Sequence, residues 1–134
     1  MASIQTSFRV SYSDTDQMGF MHHSNYLKYY ETARWELFRN IGVPYPELEK
    51  EGFILPVTES SIKFIKPAFY DQRIIVKTSI KLFRGARIAF EYQARNETGE
   101  LINEALVTVA CVKKITGKAC FPPKKLTITL KELL

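Results

Sequence analysis

A single stretch of this chain carries a strong helical period, and the residues beyond it carry mostly the period of a strand. Tyr26, Tyr30, Ala33, Leu37 and Ile41 recur at spacings of four and three, an apolar stripe with Lys28, Glu31, Arg34 and Arg39 among its polar positions. Gly42 followed by Pro44 supplies the stop, and Ser24 or Asn25 is placed to cap the start. About 18 residues at 1.5 Å each predict a helix about 27 Å long. Its apolar stripe has to be buried on something.

The partner is a sheet. Phe8 to Tyr12 is a short β-prone run, and Val57 to Lys66 is another, with Ile62 and Phe64 on one face until Pro67 ends it. Ile74, Val76, Thr78, Ile80 and Leu82 share a face, opposite Arg73, Lys77, Ser79 and Lys81. Arg84-Gly85-Ala86 reads as a hairpin turn, after which Ile88, Phe90, Tyr92 and Ala94 face inward. Beyond the turn Asn96–Gly99, the run Leu101 to Lys114 is apolar on both faces in its second half, the pattern of a strand covered on both sides. Tyr45 to Glu51 adds a helical turn or two, and Gly117 to Leu134 shows no assignable period. Short turns make neighbouring strands antiparallel. The expected fold is therefore α+β: one long central helix wrapped by a curved five-stranded antiparallel sheet, as a single domain over residues 1–134.

Composition narrows the function classes. With 46% hydrophobic and 25% charged residues, the 134-residue chain is globular rather than disordered. Its longest uncharged apolar stretch, Ala105 to Val112, is far short of the ~20 residues of a membrane span. Met1 to Arg9 has no basic start followed by an apolar run, so a cytoplasmic location is expected. The net charge of +5 is dispersed, with small clusters only at Lys113-Lys114 and Lys124-Lys125, and no nucleic-acid-binding pattern accompanies it. Such a dispersed excess suits solubility, or an anionic ligand such as a nucleotide-bearing cofactor, at least as well as it suits nucleic acid. Cys111 and Cys120, the two cysteines, make no disulfide framework, and no CxxC exists for zinc.

Reactive side chains concentrate between Asp14 and Tyr26, where the long helix begins. A helix N-terminus offers unpaired N–H groups and the positive end of the helix dipole, which hold a carboxylate or polarise a carbonyl. Asp16 is close enough in sequence to reach the same spot, where it could activate water or attack a thioester carbon itself. The plainer reading leaves Asp14 as a turn residue binding nearby backbone N–H groups, and leaves open the same role for Asp16. His22 and His23 with an aspartate could form a two-His-one-carboxylate metal site, but adjacent histidines point in different directions and the usual ligand spacing is missing. Tyr26, Tyr29 and Tyr30 read as packing residues, and Gly19 as a turn needing positive φ.

The run Tyr12-Ser13-Asp14-Thr15-Asp16-Gln17-Met18-Gly19, then His23-Ser24-Asn25-Tyr26 and Glu31-Thr32-Ala33-Arg34, resembles the hotdog-fold acyl-CoA thioesterases of the 4-hydroxybenzoyl-CoA thioesterase family. The similarity continues through Leu55-Pro56-Val57, Glu59, Ile62 and Lys66–Asp71, and spans residues 5–115. The resemblance implies hydrolysis of an acyl-CoA thioester without metal or cofactor. It implies Asp16 as the catalytic carboxylate and the backbone N–H of His23 as the carbonyl-polarising donor. Gly19 becomes the turn that joins them, and Asn25 and Tyr26 fix the helix start. It further implies a homodimer or homotetramer whose sheets join side by side, with sites at the subunit interface. Arg84, Arg87, Lys63 and Lys66 are the candidates to meet the coenzyme A phosphates. The rival functions are hydrolysis of an acyl-carrier-protein thioester and non-catalytic binding of acyl-CoA, in which Asp16 is only a turn residue.

Overall fold

The computed structural model describes residues 3–134, so the first two residues of the segment read for a leader lie outside it. Strand β1 (Ser3–Arg9) leads through a single 3-10 turn (Tyr12–Asp14) to the long helix α1 (Asn25–Asn40) and the short helix α2 (Tyr45–Lys50). Strands β2 (Phe53–Ile54), β3 (Val57–Phe64), β4 (Arg73–Arg84), β5 (Arg87–Arg95), β6 (Leu101–Ala110) and β7 (Val112–Lys113) come next, and α3 (Lys124–Leu133) ends the chain. The main sheet is antiparallel with five strands in the order β1-β4-β5-β6-β3, while β2 and β7 form a small separate ribbon. This is the α+β hotdog arrangement, a long helix lying on a five-stranded sheet.

The helix buries the stripe its period predicts. Tyr26, Tyr30, Ala33 and Leu37 are buried, joined by Phe38 and Arg34. They meet Ile74, Val76 and Ile80 of β4, Ile88, Phe90 and Tyr92 of β5, and Val107 and Val109 of β6 in one core. Each large side chain removed from water there contributes about 1.5–3 kcal/mol. Two pairs of polar groups meet inside this core: the Tyr30 hydroxyl donates to Asn103 Oδ1 at 2.6 Å, and Arg34 Nη1 donates to the Tyr92 hydroxyl at 3.0 Å, while Thr78 Oγ1 and Asn103 Nδ2 are buried without a partner among the described residues. Tyr30 stacks on Tyr92 with ring centroids 4.5 Å apart. Strand β6 lies between β5 and β3, as its two-sided apolarity predicts.

Four features depart from the sequence reading. The first strand is Ser3–Arg9 rather than Phe8–Tyr12, because Ile4, Thr6 and Phe8 alternate toward the core while Tyr12 opens the 3-10 turn. Leu82 leaves the shared inner face. The register steps from Ile80↔Phe90 to Leu82↔Ala89, so Lys81 is the extra residue of a bulge, Leu82 turns outward and Phe83 takes the inward position. The last strand breaks at Cys111 into β6 and β7. The tail without an assignable period contains α3, which buries Leu126 and Leu130 one helical turn apart. Its run Thr127-Ile128-Thr129 is β-branched and hides the helical spacing of Leu126, Leu130 and Leu133. Among the described residues, no helix is long and apolar enough to cross a membrane.

Candidate active site

Between β1 and α1 the chain forms a small hairpin that presents Asp16. Thr15 bridges to Met21, the Asp16 N–H donates to Phe20 O at 3.2 Å, and the Gly19 N–H donates to Asp16 O at 2.9 Å. Gly19 has φ of +88°, a conformation that costs glycine nothing and any other residue strain. The hairpin is pinned to the segment after β3, where Phe20 bridges to Phe69 and the Met21 N–H donates to Ala68 O at 2.7 Å. Asp16 is half-buried, and its Oδ1 accepts the Met18 N–H at 2.8 Å. Its other oxygen has no protein partner among the described residues.

The helix start is organised by the other aspartate. Asp14 O accepts the His22 N–H at 2.8 Å and Asn25 Nδ2 at 2.9 Å, so Asn25 fixes the start of α1 without occupying the capping position. Ser24 stands at that position but is itself helical, and its hydroxyl pairs with His22 Nδ1 at 2.8 Å instead of capping. The Asn25 N–H donates to His22 O and the Tyr26 N–H to His23 O. No acceptor among the described residues meets the N–H of His23. That N–H stands just before the start of α1, near the positive end of the helix.

Asp16 and His23 line one cleft of about 590 Å³. Asp16, Met18, Phe20, Met21 and the two histidines line it from the hairpin side, with Tyr26 from the first turn of α1. Phe64 from the end of β3 and Ile65, Lys66 and Pro67 just beyond it form the opposite wall. Phe64 meets the rings of Tyr26 and His23 edge-on, with centroids 5.6 and 6.3 Å away. Burial pushes the Tyr26 phenol above its ordinary range, so the ring stays neutral. The lining is apolar apart from a few polar atoms near Asp16 and His23, the composition of a small-molecule site. Met21 and Phe64 are among the lining residues, and sequence reasoning does not single out either for the site. An aromatic residue two positions from Ile62, just before the strand-ending Pro67, is the signal that could have found Phe64.

The basic candidates divide. Lys66 lines the cleft and pairs with Glu100, whose carboxyl it holds down to about 2 with help from Asn96 and Thr98. Lys63 faces the other side of the sheet, 3.8 Å from Glu104. Arg84 and Arg87 flank the β4–β5 turn at the opposite end of the sheet. Arg87 pairs with Ala110 whereas Phe64 pairs with Asn103, a separation of about 23 Å along β6. Within one chain the structure brings only Lys66 to the cleft. The His22 and His23 rings lie 4.1 Å apart at 34°, and among the described residues no three His, Cys, Asp or Glu side chains gather at one point.

A long helix wrapped by this sheet, with a cleft between the helix start and the edge strand, defines a hotdog-fold protein. Comparison with known proteins gives the family. Residues 10–130 match the "Thioesterase-like superfamily". The acyl-CoA thioester hydrolase YbgC of Escherichia coli O157:H7 is 32% identical over 124 residues, 92% of each chain. YneP of Bacillus subtilis is 36% identical over 109 residues, 81% of this chain and 79% of that one. The structure of a DHNA-CoA thioesterase from Staphylococcus aureus superposes with a TM-score of 0.95 at 29% identity, covering 98% of this chain and 91% of that one. The chain belongs to the thioesterase-like superfamily.

Proposed function

We propose that this protein hydrolyses the thioester of an acyl-coenzyme A to a carboxylic acid and free coenzyme A, with Asp16 as the catalytic carboxylate. One observation carries the reading: Asp16, with an oxygen left unpartnered, and His23, whose N–H at the helix entry is unpaired among the described residues, line the same apolar cleft. The acyl group occupies the apolar wall, and its thioester oxygen accepts the His23 N–H. That bond strengthens as the oxygen gains negative charge in the transition state. Asp16 either removes a proton from a water molecule attacking the carbon or attacks it directly to form an anhydride, which water then opens. The leaving thiolate is stable near neutral pH, so no general acid is needed to expel it. Gly19 keeps the hairpin closed beneath Asp16, and Asn25 holds the helix start. Lys66 at the cleft and the general positive charge suit the coenzyme A phosphates, with Lys63, Arg84 and Arg87 as further candidates from a neighbouring subunit.

The YbgC relative is named an acyl-CoA thioester hydrolase, which supports coenzyme A rather than carrier-protein substrates. Free-thiol release over a panel of short, long and aromatic acyl-CoA thioesters tests the reading, run beside the same acyl groups on a carrier protein. Turnover of coenzyme A thioesters is expected. Turnover of the carrier-protein forms alone would transfer the activity to that rival, and tight binding of acyl-CoA without turnover would make the chain a binding protein.

The active unit is proposed to be a dimer or tetramer. Strand β3 is an open edge of the sheet, and Val57 and Phe64 on it are about half exposed, as are Phe69 and Tyr70 beyond it. An open apolar edge invites pairing. Joining two copies through β3 would cover those side chains and close the cleft at its Phe64 wall. Light scattering at micromolar concentration is expected to give at least twice the 15.5 kDa chain mass. A monomer at that concentration would remove the interfacial site.

A further inference from the structure

The two cysteines lie nine positions apart in sequence, yet the structure places their Sγ atoms 3.7 Å from each other. The reason is local. After β6 the chain runs through β7, turns at Gly117 with φ of +71°, and comes back antiparallel. Lys113 N–H donates to Lys118 O at 2.9 Å, Val112 bridges to Ala119, and Cys120 N–H donates to Cys111 O at 2.9 Å. Cys111 and Cys120 therefore sit directly across from one another, with side chains on the same side of the ribbon. Residues opposed in this way have Cα atoms about 4.5–5.5 Å apart, inside the 4.4–6.8 Å range that a disulfide spans. Closing the remaining gap to a bonded 2.0 Å requires the sulfurs to approach by about 1.7 Å.

We propose that Cys111 and Cys120 form a reversible intramolecular disulfide in the folded protein, by exchange with a low-molecular-weight thiol disulfide. Cys120 is half-buried and accessible, whereas Cys111 is fully buried. Desolvation, and then the bond to Cys120, pushes the Cys111 thiol up to about 12, so Cys111 is not the first to react. This sets the order of attack. The Cys120 thiolate attacks one sulfur of the small disulfide, forming a mixed disulfide and releasing one small thiolate. The Cys111 sulfur, losing its proton to solvent, then attacks the Cys120 sulfur and expels the second thiolate. Two protein thiols are oxidised and the small disulfide is reduced to two thiols. The new bond ties the end of β6 to the segment leading into α3. A pair that must be drawn together from contact distance belongs with the labile, readily reduced disulfides rather than with structural ones.

The test is independent of the thioesterase reading, because it measures mass rather than turnover. Reduced wild-type protein is incubated with oxidised glutathione under native conditions, quenched in acid and weighed intact. The expected product is about 2 Da lighter, resists thiol alkylation and returns to the starting mass with dithiothreitol. Trypsin cuts after Lys113, Lys114 and Lys118, so the bond joins two peptides that otherwise separate. Cys111→Ser is expected to stop at a stable glutathione adduct on Cys120, and Cys120→Ser to stay unmodified until the fold is opened. Wild-type protein that halts at the glutathione adduct, or loses the two hydrogens only in denaturant, would overturn the proposal. So would a linkage between chains in place of the internal one.

Discussion

Asp14 and Asp16 are two residues apart and have opposite surroundings. Asp14 is buried, and its carboxylate is spoken for: Tyr29 donates to one oxygen and Lys28 Nζ lies 3.3 Å from the other. Burial alone would raise its pKa, but the bonds from Tyr29 and Lys28 outweigh it and hold the carboxyl below its ordinary range. Tyr29 is itself pushed up, by burial first and by Asp14 second, so it remains a donor. The ring of Phe8 stacks on Tyr29 at 3.8 Å and fixes its direction. Asp16, which lines the cleft, has one oxygen tied to a backbone N–H and the other without a partner among the described residues. A buried carboxylate with both oxygens already held by protein donors is suited to holding a structure together. The proposed chemistry is therefore assigned to Asp16, the aspartate that the fold leaves incomplete.

The sharpest way to break that contrast is Asp16→Asn. The amide keeps the shape and can still accept the Met18 N–H, while losing the charge and the capacity to take a proton or attack carbon. General-base assistance is worth about 100- to 10,000-fold, so kcat for the best acyl-CoA substrate should fall by at least about 100-fold. KM should move little, because the apolar wall is unchanged. Circular dichroism and thermal unfolding should show a native fold. Near-normal turnover by that folded variant would mean the open carboxylate is idle.

Asp14→Asn should do the reverse, harming stability more than chemistry. Its side-chain amide cannot satisfy both Tyr29 and Lys28, and hydrogen bonds to charged groups are worth about 1.5–3 kcal/mol, so a loss of about 2 kcal/mol is expected in denaturant unfolding. The pH dependence gives an independent check. A carboxyl whose folded pKa is lowered contributes stability that is complete above the unfolded value, near 4, and is lost as pH falls through the folded value. Wild-type stability should therefore drop through this acid range, and Asp14→Asn should show a flatter limb. Tyr29→Phe removes one donor and keeps the stacked ring, so its cost should be smaller, about 1.5 kcal/mol. An unaltered acid limb in Asp14→Asn would show that the bonds to the Asp14 carboxylate are not what stabilises the helix start.

The same contrast marks where sequence reading reaches and where it stops. The stripe Tyr26, Tyr30, Ala33 and Leu37 is legible because a helix repeats its face over four turns, and the alternation in β4 and β5 is legible for the same reason at period two. Leu82 reads to the wrong face because a bulge adds one residue without any local composition to announce it. Asp14 and Asp16 differ in sequence only by position. The identity of Tyr29 as the partner of Asp14 depends on Phe8 from a distant strand, and no pattern within residues 12–30 contains it. The closeness of Cys111 and Cys120 is likewise invisible in sequence, since it depends on the return of the chain at Gly117.

Gly19→Ala probes how firmly the open aspartate must be held, and its effect should be the smallest of the set. A methyl group at Gly19 would meet no atom within 4 Å, so it introduces no clash. Only the backbone objects, because φ of +88° is costly for alanine. The cost should be about 1 kcal/mol. Gly42 is the matching control: its φ is +82° and an added methyl group there also meets nothing within 4 Å, but it comes after α1 at the end remote from the cleft. Both variants should therefore lose similar stability in denaturant unfolding. They should part in turnover. Relaxing the Gly19 turn shifts the Asp16 backbone, whose carbonyl accepts the Gly19 N–H, and a misplaced catalytic group lowers kcat even when the fold survives. A several-fold fall in kcat for Gly19→Ala with none for Gly42→Ala would show that the turn positions the carboxylate. Equal turnover in the two variants would show that Asp16 tolerates the relaxed hairpin, and that its open oxygen matters more than its exact placement.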